Sequence, residues 1–282
     1  YLYGQSTSSI IFDNDTLGQG AFIVKYNGGG NVLWAKKIAS GLLTNNREQS
    51  MCADTYGNIY ITGGFQSQCI FGNDTLSAIG FGVFIAKYDL NSNYLWAKSA
   101  SSVAGGGAIG YAISPDANSN IYLTGYFGSS VVFGNDTLAG LPFSNTNIFV
   151  AKYDSSGNAL WGRNPGGGIR DFGQSICTDA AGNVFVTGCF VSSFLNFGGN
   201  PVVNSFTGNN DAFIVAYDGN GSALWAQGIG GQGNEYGMGI CADVMGDIYL
   251  AGYFESYSLN FGSNVITNNG SADIFLAKLS IP

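Results

Sequence analysis

Histidine is absent from this chain of 282 residues. That removes Ser-His-Asp triads, Cys-His pairs and His-ligated zinc or iron together. Charge is scarce too, at 10% of residues, with 10 Lys and Arg against 18 Asp and Glu and a net charge of −8. A basic footprint for a nucleic-acid backbone or an anionic membrane is therefore missing. No apolar run approaches the roughly 20 residues that span a bilayer as a helix, so membrane insertion is not expected. The first residue is Tyr rather than Met, which reads as an excised or processed piece. Cysteine numbers five, an odd count with no Cys-x-x-Cys, so neither a disulfide framework nor a thiolate metal site is expected. Proline is only 5.

What the chain has is glycine, 44 residues, and Phe and Tyr, 20 and 16, within a hydrophobic share of 45%. A sizeable core is possible, and glycine-rich turns between short aromatic strands read as all-β. The organisation is a repeat. Trp34, Trp96, Trp161 and Trp225 are spaced by 62, 65 and 64 residues, in the frames Leu33-Trp34-Ala35-Lys36, Leu95-Trp96-Ala97-Lys98, Leu160-Trp161-Gly162-Arg163 and Leu224-Trp225-Ala226-Gln227. An F-I-V-K-Y segment or a variant precedes each Trp at 22–26, 84–88, 149–153 and 213–217, with a fifth copy at 275–279. An apolar strand closing on Asp54, Asp116, Asp179 or Asp243 follows, and then Ile59 to Gly63 and its echoes at 121–125, 184–188 and 248–252. Each period of ~63 residues thus holds four strands, A to D, joined by Asp-x-x-Gly-Asn turns that suit hairpins.

A four-stranded antiparallel meander at this period predicts a β-propeller, whereas solenoid repeats usually run about 20 to 45 residues. The blades are read as 1–45 (lacking strand A), 46–107, 108–169, 170–233 and 234–282 (lacking strand D). Two arrangements stay open: a fragment of a larger ring completed by further sequence, or an incomplete five-blade arc.

The motifs Asp-x-x-Gly-Asn-[IV]-[YF]-[IVL]-[TA]-Gly, F-[IV]-x-K-Y-D and G-N-x-L-W-A-K resemble the bacterial β-propeller repeats called SBBP, found in secreted and surface proteins of the Bacteroidetes. The match is fullest in Asp179 to Gly188 with Phe149 to Arg163, and departs at Asn118-Ser119-Asn120 and at Gln227. The resemblance implies a propeller and an extracellular or cell-surface setting.

Between strands B and C each repeat carries a small hairpin, and three copies contain Asn-Asp-Thr-Leu. Turn chemistry accounts for Asn and Asp. Asp-Thr-Leu also matches the short O-glycosylation signal of Bacteroidetes surface proteins, which makes Thr16, Thr75 and Thr137 candidates for modification. Lys25, Lys87, Lys152 and Lys278 on strand C, with Lys36, Lys98 and Arg163 on strand D, recur with the repeat and read as structural, each stem lying along a neighbouring blade and each head reaching water or an Asp. Cys52, Cys177 and Cys241 share one position on strand A and read as small buried groups near the axis; mostly free, buried thiols are expected.

The most variable segments are the D-to-A loops at one end of the fold. They hold Arg47, Glu48, Arg170, Asp171, Phe172, Glu235 and Tyr236, planar and polar groups suited to a sugar or a peptide. The favoured function is a non-catalytic surface scaffold for protein interaction, adhesion or complex assembly, with no cofactor and no metal. The alternatives are a lectin-like propeller reading surface glycan, and a glycan-active enzyme using Asp171 and Glu235 as its carboxylate pair.

Overall fold

The computed structural model describes residues 1–43, 49–101, 106–140 and 146–280. Every regular element among them is a strand. Units 3 and 4 show the pattern in full, as four-stranded antiparallel sheets in the order A-B-C-D. In unit 3 these are Ala108–Pro115, Ile121–Phe127, Asn147–Tyr153 and Ala159–Arg163. In unit 4 they are Asp171–Thr178, Val184–Phe190, Asp211–Tyr217 and Ala223–Ile229. Unit 5 has Glu235–Ala242, Ile248–Phe254 and Asp273–Leu279 as A, B and C. Unit 1 has Leu2–Ser6, Gly20–Tyr26 and Val32–Leu43 as B, C and D.

Unit 2 departs from the series. Its strand B (Ile59–Phe71) and strand C (Asp74–Tyr88) run straight on into the small hairpin. The extended edge so created meets the tail of unit 1's strand D, where Ser40 and Gly41 pair with Ile70 and Cys69. Units 1 and 2 thereby share one seven-stranded sheet. Among the described residues no strand pairing closes units 1 and 5 into a ring.

The A-to-B and C-to-D turns follow from one Asp. Asp54 Oδ1 accepts the amides of Tyr56 and Asn58 while Oδ2 accepts Asn58 Nδ2 and the Tyr60 hydroxyl. Asp116 and Asp154 repeat the scheme. These amides hold the Asp54 and Asp154 carboxyls below the usual range against the opposing effect of burial. The third turn residue needs positive φ, which Gly57 and Gly182 supply at 82° and 84°; where Asn118-Ser119-Asn120 replaces the glycine turn, Ser119 adopts 60° in its place.

The cores lie between sheets. Tyr60, Val83 and Ile85 of unit 2 pack with Ile113, Ile121 and Leu123 of unit 3, and Tyr122, Ile148 and Val150 of unit 3 with Ile176, Val184 and Val186 of unit 4. Strands B and C are thus covered on both faces. That is why they read as near-continuous apolar runs rather than alternating ones.

Two polar contacts bind successive units. Ser155 O, in the C-to-D turn of unit 3, accepts Lys87 Nζ at 3.0 Å and Trp96 Nε1 at 3.3 Å, both from unit 2. Gly219 O of unit 4 likewise accepts Lys152 Nζ at 2.8 Å and Trp161 Nε1 at 3.2 Å from unit 3. The lysine heads lie over Tyr60 and Tyr122 as they cross. For Lys36, Lys87, Lys152 and Arg163 the expected water or Asp partner is therefore corrected to a backbone carbonyl of the next unit, whereas an Asp is met at Arg163, 3.5 Å from Asp136, and at Lys278, which bonds Asp247 at 2.7 Å. Burial lowers the Lys87 pKa.

On the other side of each junction a strand B threonine meets a strand A glycine. Thr62, Thr124 and Thr187 donate to the carbonyls of Phe84, Phe149 and Phe213. Their oxygens would lie 2.4, 2.0 and 2.0 Å from a Cβ at Gly110, Gly173 and Gly237.

All five cysteines are free, with Cys177 and Cys189 paired instead to Phe185 and Phe172 across the strands. Cys52 is half-buried and Cys177 buried, but Cys241 is exposed, which corrects the expectation for that position. Its counterparts pack against the following unit, and no described residues cover the corresponding face of unit 5.

Gly173→Ala should lower unfolding free energy by about 1–3 kcal/mol through overpacking against Thr124. Gly239→Ala, with nothing within 4 Å of its Cβ, should stay within about 0.5 kcal/mol; urea melts of the two compare them directly.

Candidate functional site

The D-to-A loops and the starts of strand A form one end of the molecule. Arg47 and Glu48 lie outside the described residues. Arg170 is exposed, held by a backbone bridge to Thr146. Asp171 is fully buried and accepts the amides of Gly168, Val191 and Ser192 and the Ser192 hydroxyl, the last at 2.6 Å. Glu235 occupies the equivalent place in unit 5, also fully buried, and accepts the amides of Gly231 and Ser256. Each carboxylate ties its own loop to the end of strand B. Both are turned inward and engaged by backbone, so the geometry does not present them as a pair of acids facing a common substrate. Burial pushes the Glu235 carboxyl up despite its amide donors. Asp211 is raised for the same reason, with Oδ2 receiving Ser205 N at 2.6 Å and a buried Oδ1 that has no partner.

What this end does present is a set of half-buried rings. Phe172 lies 6.4 Å from Tyr111 in a stacked arrangement and 5.3 Å from Tyr126 edge-on, both across the junction of units 3 and 4. Tyr111 and Tyr126 are themselves 5.4 Å apart. In unit 5 Tyr236 and Tyr253 stack at 4.6 Å. Cys189, paired with Phe172 across strands A and B, adjoins that stack, and burial pushes its thiol up to about 12. The Tyr236 hydroxyl accepts Asn210 Nδ2 at 2.9 Å, and Asn210 is in turn held by Asn234. Arg170, just before strand A of unit 4, and Glu255, just after strand B of unit 5, are exposed.

Strand A positions these rings through a register irregularity. In units 3, 4 and 5 the ladder shifts between Gly110 and Ala112, Gly173 and Ser175, and Gly237 and Gly239. Such a bulge re-aims side chains at the end of a strand, and it leaves Tyr111 against the neighbouring unit. Phe172 and Tyr236 are legible in the sequence as loop aromatics. Tyr126 and Tyr253 are missed, although a signal exists: each follows the recurring glycine of strand B, a place held by Cys189 in unit 4.

The Asp-Thr-Leu hairpins divide by residue. Asp15, Asp74 and Asp136 accept the amide of the residue after Trp on strand D, at Ala35, Ala97 and Gly162. Asp74 also accepts the Tyr94 hydroxyl, which with the Ala97 amide lowers its pKa. Leu17, Leu76 and Leu138 are buried. Thr16, Thr75 and Thr137 are all exposed. In unit 4, Asn200 takes the Asp position and bonds elsewhere on strand D, donating to Ala223 O, two residues before Trp225, at 3.3 Å. Local folding thus accounts for Asp and Leu and places no demand on Thr.

Among the described residues no cluster of three or more acids and cysteines could hold a metal, and no helix is long and apolar enough to cross a membrane.

No family model matches the chain. An uncharacterized WD repeat-containing protein of Acanthamoeba polyphaga mimivirus is 28% identical over 230 residues, covering 70% of this chain and 16% of that protein. The regulatory protein FlaEY of Caulobacter vibrioides is 25% identical over 130 residues, 45% of this chain and 14% of its own. The chain thus spans about one sixth of the length of these curated relatives or less. A crystal structure of a protein of unknown function from Bacteroides caccae aligns over 94% of this chain and 71% of its own, at 11% identity and a TM-score of 0.44. Similarity to a WD-repeat protein, together with an all-β chain of repeated four-stranded antiparallel sheets, marks a repeat protein of β-propeller type.

Proposed function

We propose that this chain is a β-propeller segment of the SBBP kind that serves as a non-catalytic interaction scaffold on or near a bacterial surface. The observation that carries the reading is the set of half-buried rings at the D-to-A end, Tyr111, Tyr126, Phe172, Tyr236 and Tyr253. Aromatic side chains give large contact area at low entropic cost and are favoured at binding surfaces. Asp171 and Glu235, the two acids an enzyme would need, are spent on holding the loops beneath them. That supports a binding role over a glycan-active one.

The partner is a protein or a surface glycan. A lectin-like reading is supported by flat ring faces bordered by the amides of Asn210 and Asn234, since sugars stack on aromatic planes and bond to planar polar groups. A glycan array with the wild-type protein and with Phe172→Ala and Tyr236→Ala separates the two partners. Hits weakened tenfold or more by both substitutions support the lectin. An empty array leaves the protein scaffold, and binding indifferent to both substitutions removes the aromatic surface from the account.

Exposure of Thr16, Thr75 and Thr137, with no fold requirement for a hydroxyl there, supports their use as O-glycan acceptors. Peptide mass mapping of protein from its native host should find hexose-type mass on these threonines. Unmodified peptides at all three would exclude the modification.

A further inference from the structure

Among the described residues, eight tight turns of one kind close the A-to-B and C-to-D hairpins, each with its first amide on the carbonyl four residues on. Seven start on Asp, at 54, 89, 116, 154, 179, 218 and 243. The eighth, the C-to-D turn of unit 1, starts on Asn27 and runs Asn27-Gly28-Gly29-Gly30-Asn31.

Asn27 does only half of what an Asp does there. Its Oδ1 accepts the amides of Gly29 at 2.9 Å and Asn31 at 3.0 Å, as Asp89 Oδ1 accepts those of Asn91 and Asn93. Asp89 Oδ2 goes on to accept Asn93 Nδ2 at 2.7 Å, and Asp154 Oδ2 accepts Asn158 Nδ2 at 2.8 Å. The second terminal atom of Asn27 is an amide nitrogen, which donates and cannot accept. Asn31 holds the place of Asn93 and Asn158, yet no hydrogen bond joins its side chain to that of Asn27.

The same turn leaves Asn27 open to conversion into Asp. The side-chain carbonyl carbon of an Asn followed by Gly is accessible to the next backbone nitrogen, because no Cβ crowds the approach. Three Asn-Gly pairs occur in the chain. At Asn220 the following amide, Gly221 N, is held by Asp218 O at 3.0 Å. At Asn269 the following amide, Gly270 N, is held by Asn268 Oδ1 at 2.8 Å. Gly28 N donates to no described group, and residues 27 to 31 are all exposed to water. Nothing in the fold asks for glycine at 28: its φ is not positive, a Cβ there would meet nothing within 4 Å, and Leu90 and Ser155 hold the same place in units 2 and 3. When the nitrogen attacks, negative charge gathers on Oδ1, where the Gly29 and Asn31 amides already point. Donors placed where charge develops lower such a barrier.

We propose that Asn27-Gly28 is a self-modifying site, at which Asn27 gives up ammonia and becomes an aspartate that completes the turn. Gly28 N bonds to Asn27 Cγ and the Cγ–Nδ2 bond breaks. The proton of Gly28 N passes through solvent to the departing nitrogen, so ammonia leaves and a five-membered succinimide remains. Water then adds at Cγ, the Cγ–N bond opens and Gly28 N regains a proton. The balance is Asn and water to Asp and ammonia, with no change of oxidation state. Water adding at the backbone carbon gives isoaspartate instead, which lengthens the main chain by one carbon and disturbs the bond from Asn27 N to Asn31 O. Ring closure and opening recur until the Asp form, which alone restores the turn, accumulates. The site lies at the far end of the strands from the D-to-A loops, and the inference is independent of the aromatic surface there.

The test maps peptides of the 282-residue protein, fresh and after incubation at mildly alkaline pH, against synthetic peptides carrying Asp or isoaspartate at 27. A gain of one mass unit at Asn27 is expected, faster than at Asn220 or Asn269, with Asp as the lasting product. Gly28→Ala should slow the conversion by about tenfold or more, a barrier raised by about 1.4 kcal/mol, and an unchanged urea midpoint shows that the variant keeps the fold. Three results would overturn the proposal: an Asn27 that stays intact or changes no faster than Asn220 and Asn269, equal rates with and without Gly28→Ala, or isoaspartate as the lasting product.

Discussion

The structure depends on one carbonyl oxygen at each of two junctions, between units 2 and 3 and between units 3 and 4. Ser155 O and Gly219 O each take two donors from the preceding unit, a lysine ammonium and an indole N–H, and a carbonyl has two lone pairs to give. The turn that offers the oxygen is itself fixed by an Asp side chain, so the acceptor is rigid before the donors arrive. Position, not charge, is what the lysine and Trp repeat encodes. Where the pairing is dropped it is dropped as a set: unit 4 has Ala216 for the lysine and Phe185 for the tyrosine beneath it, and both are fully buried in an apolar junction with unit 5.

Near the starts of strand A the junctions use shape instead. Thr62, Thr124 and Thr187 each face a glycine one unit on, and the partners change together along the chain. Unit 5 has Ala251 and unit 1 has Tyr3 at the place where units 2 to 4 have Thr. Because both faces of a sheet are buried against neighbours, free surface is left mainly at the two ends and the rim. The D-to-A end concentrates the rings, and the buried acids Asp171 and Glu235 stiffen the loops that carry them. Rigid loops that display aromatics suit recognition, because little ordering entropy remains to be lost on binding.

Much of this was legible in the sequence. Trp spacing, the fivefold F-I-V-K-Y segment and the Asp-x-x-Gly-Asn turns are local signals, and the strands and hairpins they predict are present. The direction of a side chain was not legible wherever alternation breaks. The bulge between Gly173 and Ser175 lies just after Asp171 and Phe172, so counting by twos from the strand centre misplaces them. Aligned in the loops, Asp171 and Glu235 also read as a carboxylate pair, because the amides that engage them leave no mark in the sequence. Tyr126 and Tyr253 escaped notice because they sit at the end of strand B rather than in a loop. The lysine partner was missed for a different reason, since a backbone carbonyl of another unit leaves no mark in sequence. Exposure of Cys241 depends on what covers unit 5, which no property of that position reveals.

The central claim is that lysine and Trp act together on the next unit's carbonyl. A double-mutant cycle with Lys152→Met and Trp161→Phe, read by urea unfolding, tests it most directly. Each single change should cost about 1–3 kcal/mol, and the two should couple by 0.5 kcal/mol or more because they share one acceptor. Strictly additive effects, or a Lys152→Met variant within about 0.5 kcal/mol of wild type, would contradict it.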